Sequence, residues 1–238
     1  MTIHMRFPGG LRKALTFSYD DAVEQDIRLV DIFDKHGLKG TFNINTGSFS
    51  PEGKVHPEGQ VHRRMTEKQT YDLLANSPHE VAVHTLTHPF LPDIEDEKEI
   101  IRQVEKDREN LSDLAGYEVI GMAYPCGGEN NDDRVAKIIK ENTGVKFSRT
   151  ITSNYSFDIQ NNLYRFNPTV YGTAAHDKMV ELGKKFIELT PDKPQIFYIW
   201  GHAYEFDIDD TWDKFESFCE MISGKDDIFY GSNKEILL

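Results

Sequence analysis

Glu80-Val81-Ala82-Val83-His84-Thr85-Leu86-Thr87-His88-Pro89 runs from four strand-forming residues into two histidines four apart, with a proline directly after the second. Proline disfavours the α conformation in the residue before it, so His88 belongs to a loop and not to a helix. The helical His-Glu-x-x-His pair of zinc proteases is thereby excluded, and no Glu follows His84 in any case. One imidazole ends a strand, the other sits in the loop that leaves it, and both are free to turn toward a shared point. Taken alone, the stretch also reads as two packed or solvated histidines.

The same pattern, a strand ending on a polar residue, recurs on either side. Lys13-Ala14-Leu15-Thr16-Phe17-Ser18-Tyr19 alternates, is rich in β-formers, and ends at Asp20-Asp21. Gly40-Thr41-Phe42-Asn43-Ile44-Asn45 follows a helix whose C-cap is Gly37. Val119-Ile120-Gly121-Met122-Ala123-Tyr124 runs into the Pro125-Cys126-Gly127-Gly128 turn. Val145-Lys146-Phe147-Ser148 and Leu163-Tyr164-Arg165-Phe166-Asn167-Pro168 read as weaker strands, and Gln195-Ile196-Phe197-Tyr198-Ile199-Trp200 ends at Gly201-His202. A final strand covers Asp227 to Tyr230.

Amphipathic helices separate the strands, among them one opened by the Thr66-Glu67-Lys68-Gln69 capping box, one from Pro92 to Gly116, one from Ala175 to Leu189 and one from Thr211 to Ile222. Strand and helix alternate about seven or eight times, which predicts a parallel (β/α) barrel. In such barrels chemistry collects at the C-terminal ends of the strands, where Asp20, Asp21, His84, His88, Cys126, Arg165 and His202 are all expected. The long connection from Thr46 to Arg64 reads as a functional loop.

A single domain over residues 1–238 fits the length and the absence of any linker-like tract. The net charge of −13 argues against nucleic acid or an anionic membrane surface as partner. No apolar run approaches the roughly 18 to 20 residues of a membrane span. Met1 to Pro8 carries no apolar leader segment, and with only Cys126 and Cys219 available for pairing, a cytoplasmic protein is expected. Cys219 lies on an apolar helical stripe with Trp212, Phe215 and Phe218 and reads as core. Nothing here sets the oligomeric state.

Adjacent strand residues face opposite ways, so Asp20 and Asp21 reach one pocket only if the strand breaks between them. Two carboxylates so placed need different roles. A metal on Asp21 leaves Asp20 as a base, although spacing alone permits the reverse, and a solvated acidic turn capping the next helix is the alternative for both. One carboxylate and two imidazoles is a ligand pattern for zinc or a similar divalent ion, with an open position left over. His202 is placed to act as a general acid.

Thr16-Phe17-Ser18-Tyr19-Asp20-Asp21-Ala22, His84-Thr85-Leu86-Thr87-His88, Ala123-Tyr124-Pro125-Cys126-Gly127 and Ile199-Trp200-Gly201-His202, in that order, resemble the successive motifs of the NodB-homology polysaccharide deacetylases, family 4 carbohydrate esterases. The resemblance spans about residues 13–202. It implies a distorted β/α barrel that binds zinc, or cobalt or nickel, and removes acetyl groups from N- or O-acetylated oligosaccharides or polysaccharides. Carried over by position, it makes Asp20 the base, Asp21, His84 and His88 the metal ligands, the Cys126 backbone N–H an oxyanion donor, and His202 the acid. Two other readings of the barrel stand beside it: a metal-independent hydrolase of small cyclic ureides and other amides, and an inactive sugar-binding module.

The chain departs from the family pattern at Ala123, where an arginine that holds the catalytic aspartate is usual, as in a subset of members with alanine there. It also lacks a clear match for the aspartate that orients the acid histidine. Arg165 is the expected substitute for the missing arginine, and Asp158 or Asp207 for the missing aspartate. Trp200 reads as core or as a sugar-stacking wall, while Tyr204, Glu205 and Asp207 are candidates for a substrate groove. His56, His62, His79 and His176 read as surface residues.

Overall fold

The computed structural model describes residues 6–238, so the reading of the extreme N-terminus at residues 1–5 lies outside the described residues. The alternation written in the sequence becomes β1 (Lys13–Asp20), α1 (Asp26–His36), β2 (Gly40–Ile44), α2 (Glu67–Leu74), β3 (Glu80–Val83), α3 (Glu97–Ala115), β4 (Gly121–Ala123), α4 (Asp133–Asn142), β5 (Phe147–Arg149), β6 (Val170–Tyr171), α5 (His176–Glu188), β7 (Gln195–Gly201), α6 (Tyr204–Ile208), α7 (Trp212–Ile222), β8 (Ile228–Tyr230) and α8 (Asn233–Leu237). Every strand pairing is parallel, in the order β5-β4-β3-β2-β1-β7-β6, and β8 adds to the first half of β1. The sheet curls into the distorted (β/α) barrel expected of it.

Local signals set the helix ends. Thr66 and Gln69 close a reciprocal capping box on α2. Asp96 and Asp132 accept hydrogen bonds at the N-termini of α3 and α4, and Gly37 and Gly116 take the left-handed conformation at the ends of α1 and α3. No helix among the described residues is long and apolar enough to cross a membrane.

The expected strand at Leu163–Pro168 is not formed. Leu163–Arg165 is a 3-10 turn, and the chain then makes one parallel bridge from Phe166 to Arg149 before joining β7 as β6. Pro168 has no N–H to continue a ladder. The seam between β5 and β6 is therefore bridged at a single residue, which is the distortion of the barrel.

β1 shows what the alternation buries on each side. Leu15, Phe17 and Tyr19 face the helices, where Phe17 meets Phe33, Phe215 and Phe218 at centroid distances of 4.8, 6.1 and 6.5 Å. Thr16, Ser18 and Asp20 share the other face, and it is polar and hydrogen-bonded throughout. Thr16 donates to the Asn233 side chain at 2.9 Å, while Asn43 donates to Ser18 and Asp20 at 2.8 Å each. At the base of the barrel, the Asn233 N–H donates to Thr41 and the Lys234 N–H to Glu80, both at 2.9 Å, so the first turn of α8 closes that end. Cys219 is buried in the apolar layer as expected, and both cysteines are free.

Burial pushes the Glu80 carboxyl up to about 7 from its ordinary 4.5, despite the hydrogen bonds from Lys234 and Thr41. A raised carboxylate stabilises the fold in its protonated form, and that contribution erodes as pH climbs from about 4.5 to about 7. Glu80→Gln removes the titration. Its urea midpoint should accordingly fall less than wild type's between pH 5 and pH 8, and parallel profiles would refute the assignment.

Candidate active site

Asp20, Asp21, His84, His88, Cys126 and His202 line one cavity of about 370 Å³ at the C-terminal mouth of the barrel, with Tyr124, Ile151, Tyr171, Trp200 and Tyr204 completing its wall. A larger open depression of about 710 Å³ lies beside α2 and α3 and contains none of these residues. The candidate site residues therefore gather in the smaller cavity.

The backbone delivers these side chains through strain. Asp21 (φ 89°), Ala22 (φ 53°), Thr85 (φ 66°), His88 (φ 60°) and Cys126 (φ 69°) are all non-glycine residues in the left-handed region, each just past a strand end. The break after Asp20 lets both carboxylates enter the cavity, as their adjacency required. Met65 N–H donating to Ala22 O (2.8 Å) and Asp21 N–H donating to Asn43 O (3.0 Å) hold the turn. Asn45 donates to the carbonyls of His84 and Thr85, fixing the exit from β3.

Asp21, His84 and His88 each present a ligand atom, and these atoms all lie within 4.8 Å of one another. Asp21 Oδ1 is 3.9 Å from His84 Nε2 and 3.7 Å from His88 Nε2. The His84 Nδ1–H donates to the Ala123 carbonyl at 2.9 Å, which leaves the Nε2 lone pair facing Asp21. Burial lowers His84 to about 4 and also lowers His88, so both imidazoles are neutral, the form that ligates. For Asp21, burial works upward, but His62, His84 and Arg64 outweigh it and hold the carboxyl far below its usual range. One ionised carboxylate and two neutral imidazoles suit a divalent ion such as zinc.

Asp20 is held by an arginine, but not the expected one. Arg149, at the end of β5 and fully buried, places Nη2 2.5 and 2.6 Å from the two carboxylate oxygens and Nε 3.1 Å from Ser18 Oγ. Arg165 points elsewhere: from the 3-10 turn it reaches Asp133 (2.6 Å) and Asn131 (2.7 Å), because the strand that was to aim it inward does not exist. Burial of Asp20 favours the neutral carboxyl. Arg149, then His84 and His202, overcome this and keep it below its ordinary value.

His202 is oriented by Glu205, not by Asp158 or Asp207. Its Nδ1 lies 3.3 Å from Glu205 Oε1 and 3.1 Å from the Tyr171 hydroxyl, which itself donates to Glu205, as does Thr173. Asp158 instead pairs with Lys193 and Gln195, and Asp207 with Gln25 and Trp212. Burial would lower His202, but the Glu205 contact and the charge of Asp20 prevail and raise it, which favours the protonated imidazolium in a ring that lines the cavity.

The remaining assignments divide. His62 is a site residue, its Nε2 3.1 Å from Asp21 Oδ2, and His79 is buried, accepting from the Gly40 N–H at 3.1 Å. Trp200 is 4% exposed, with Tyr171 stacked on it at 4.0 Å and the Arg149 guanidinium over it at 4.6 Å, so its ring is taken up by packing. Asn130 donates to the carbonyls of Tyr124, Pro125 and Cys126, and among the described residues no acceptor meets the Cys126 N–H.

The architecture is similar to that of a family 4 carbohydrate esterase from Streptomyces lividans in complex with acetate, with a TM-score of 0.54 and 12% identity over 89% of this chain and 86% of that one. A polysaccharide deacetylase from Bacillus cereus gives 0.51 and 19% identity over 63% of this chain and 44% of its own. A deacetylase from Streptococcus pyogenes in complex with acetate gives 0.50 and 20% over 63% and 61%. The chain thus spans 44% and 61% of these last two proteins, and at such identities the likeness is one of fold. No curated protein matches the sequence. The family model described as polysaccharide deacetylase matches residues 9–147, more than half of the chain. The chain belongs to the polysaccharide deacetylase family.

Proposed function

We propose that the protein hydrolyses acetyl groups from N- or O-acetylated saccharides in a metal-dependent reaction. The observation that carries this reading is the convergence of an arginine-held aspartate, an Asp/His/His donor set and a carboxylate-oriented histidine in one cavity of a polysaccharide deacetylase family member. Asp21, His84 and His88 would hold the ion, zinc first, with cobalt or nickel as substitutes. Such an ion supplies Lewis acidity toward an acetyl carbonyl and lowers the pKa of water at the site.

The chain's own residues do the rest. Asp20 Oδ2, the carboxylate oxygen not taken by Asn43, accepts the proton of the attacking water. The Cys126 N–H supports the oxyanion. His202, whose raised pKa favours the protonated form, gives its Nε2 proton to the departing amine or hydroxyl. Acetylated chito-oligosaccharides, xylan fragments and cell-wall fragments form the substrate panel, with metal analysis of the same sample. Acetate release should be abolished by chelation and by the His84→Ala, His88→Ala double variant, and should return to the chelated wild type on adding zinc. No release from any member of the panel by metal-loaded protein overturns the proposal. Release that survives both chelation and the double variant points to the metal-independent hydrolase.

A further inference from the structure

The loop from Thr46 to Arg64 brings a second arginine to the site, and the proposed chemistry gives it no role. Arg64 donates from Nη2 to Asp21 Oδ1 at 2.8 Å, and from Nη1 to the Asp21 carbonyl at 2.7 Å and Asn45 Oδ1 at 2.8 Å. Its side chain is 18% exposed. Oδ1 is also the Asp21 oxygen that stands closest to both imidazoles, 3.9 Å from His84 Nε2 and 3.7 Å from His88 Nε2.

We propose that Arg64 weakens the hold of the Asp21, His84 and His88 set on a divalent cation, by keeping a fixed positive charge on the oxygen the cation must share. The proposal rests on the reading of that set as an ion site. A guanidinium is never deprotonated in a protein, so the charge is permanent, and in a largely buried position salt screens it poorly. It also draws electron density from Oδ1 through the hydrogen bond. The ion is in consequence exchangeable, held more loosely than its three ligands alone would hold it.

An opposite effect has to be weighed, because Arg64 also braces Asp21. The guanidinium also holds the Asp21 carbonyl, but the backbone around Asp21 has further supports that do not involve it. Asp21 N–H to Asn43 O (3.0 Å), Met65 N–H to Ala22 O (2.8 Å), Glu24 N–H to Arg63 O (2.8 Å) and the antiparallel bridge between Val23 and Arg64 are all main-chain contacts. His62 also meets Asp21, on Oδ2, through a contact that does not pass through Arg64. Loss of repulsion therefore outweighs loss of bracing.

The test is Zn²⁺ affinity, measured in competition with a chromophoric chelator on the full chain, with circular dichroism confirming the fold of each variant. Removing an outer-shell partner typically costs roughly 10–100-fold in metal affinity, which sets the scale of the change expected here and not its sign. Arg64→Met should bind Zn²⁺ tighter by about that factor, and Arg64→Lys, which keeps the charge without the fork, should stay close to wild type. Equal or weaker binding by a folded Arg64→Met overturns the proposal and leaves the ion site standing. Absence of binding in wild type and variant alike overturns both.

Discussion

Arg149→Met is expected to reduce acetate release by on the order of a hundredfold or more, as loss of a competent general base does. It should also move the acid limb of the pH profile to higher pH. The direction follows from the contacts. Burial alone favours the neutral carboxyl of Asp20, and Arg149 is the largest influence opposing it. Without the guanidinium the carboxyl titrates at higher pH, so the ionised base is lost earlier as pH falls. The variant also strands a buried carboxylate, which typically costs about 3–5 kcal/mol, and that stability penalty should ease at low pH, where Asp20 becomes neutral.

A compensating substitution separates positioning from mere packing. Ala123 and Arg149 are register partners on β4 and β5, so they stand side by side at one level of the barrel. An arginine placed at position 123 would start at the same level on the neighbouring strand, from which it is expected to reach the same carboxylate. Arg149→Met combined with Ala123→Arg should recover a large part of the activity and return the acid limb toward wild type. If the double variant folds and recovers neither, the side-by-side exchange is wrong.

The exchange also shows which parts of the site were legible in the sequence. Strand ends were readable from the period-two pattern, and with them Asp20, Asp21, His84 and His202, because each closely follows a run of β-formers, while His88 came with the His84 loop and its proline. Arg149 obeys the same rule, but β5 is short and weakly patterned, and a strand taken to end at Ser148 stops one residue before it. Arg165 looked equivalent because Leu163–Pro168 has strand-like composition. There tertiary context overrides local propensity, since the segment has to turn between β5 and β7 across a proline. Beyond their place in the long loop from Thr46 to Arg64, His62 and Arg64 carry no signal of their own. The loop that bears them folds back onto a turn about 40 positions earlier, a return visible only in three dimensions, through the antiparallel bridge to Val23 and the main-chain bonds beside it. Glu205 was within reach of inference. It lies three residues beyond His202 on the short helix α6, a spacing that brings side chains together only once that helix is known.

Glu205 carries the second large effect. Glu205→Gln keeps the shape of the residue and its contact with Tyr171 but removes the charge that stabilises imidazolium at His202. Burial then acts on His202 with less opposition, and its pKa falls from the raised position toward or below the ordinary 6.5. Because the protonated histidine is the acid of the proposed reaction, the alkaline limb of the pH profile should move to lower pH, with turnover at pH 8 reduced by roughly tenfold or more. The linkage to stability has the same sign. The pair's contribution through His202 is fully present below pH 6.5 and is lost as pH rises through the raised value, so the gap in urea midpoint between wild type and Glu205→Gln should be widest near pH 6 and narrow toward pH 9. Tyr171→Phe removes a neutral partner of the same nitrogen and should slow turnover with a much smaller displacement of the alkaline limb. An alkaline limb that stays in place in Glu205→Gln would show that His202 takes its charge from elsewhere, with the Asp20 carboxylate first and Asp21 after it as the remaining sources.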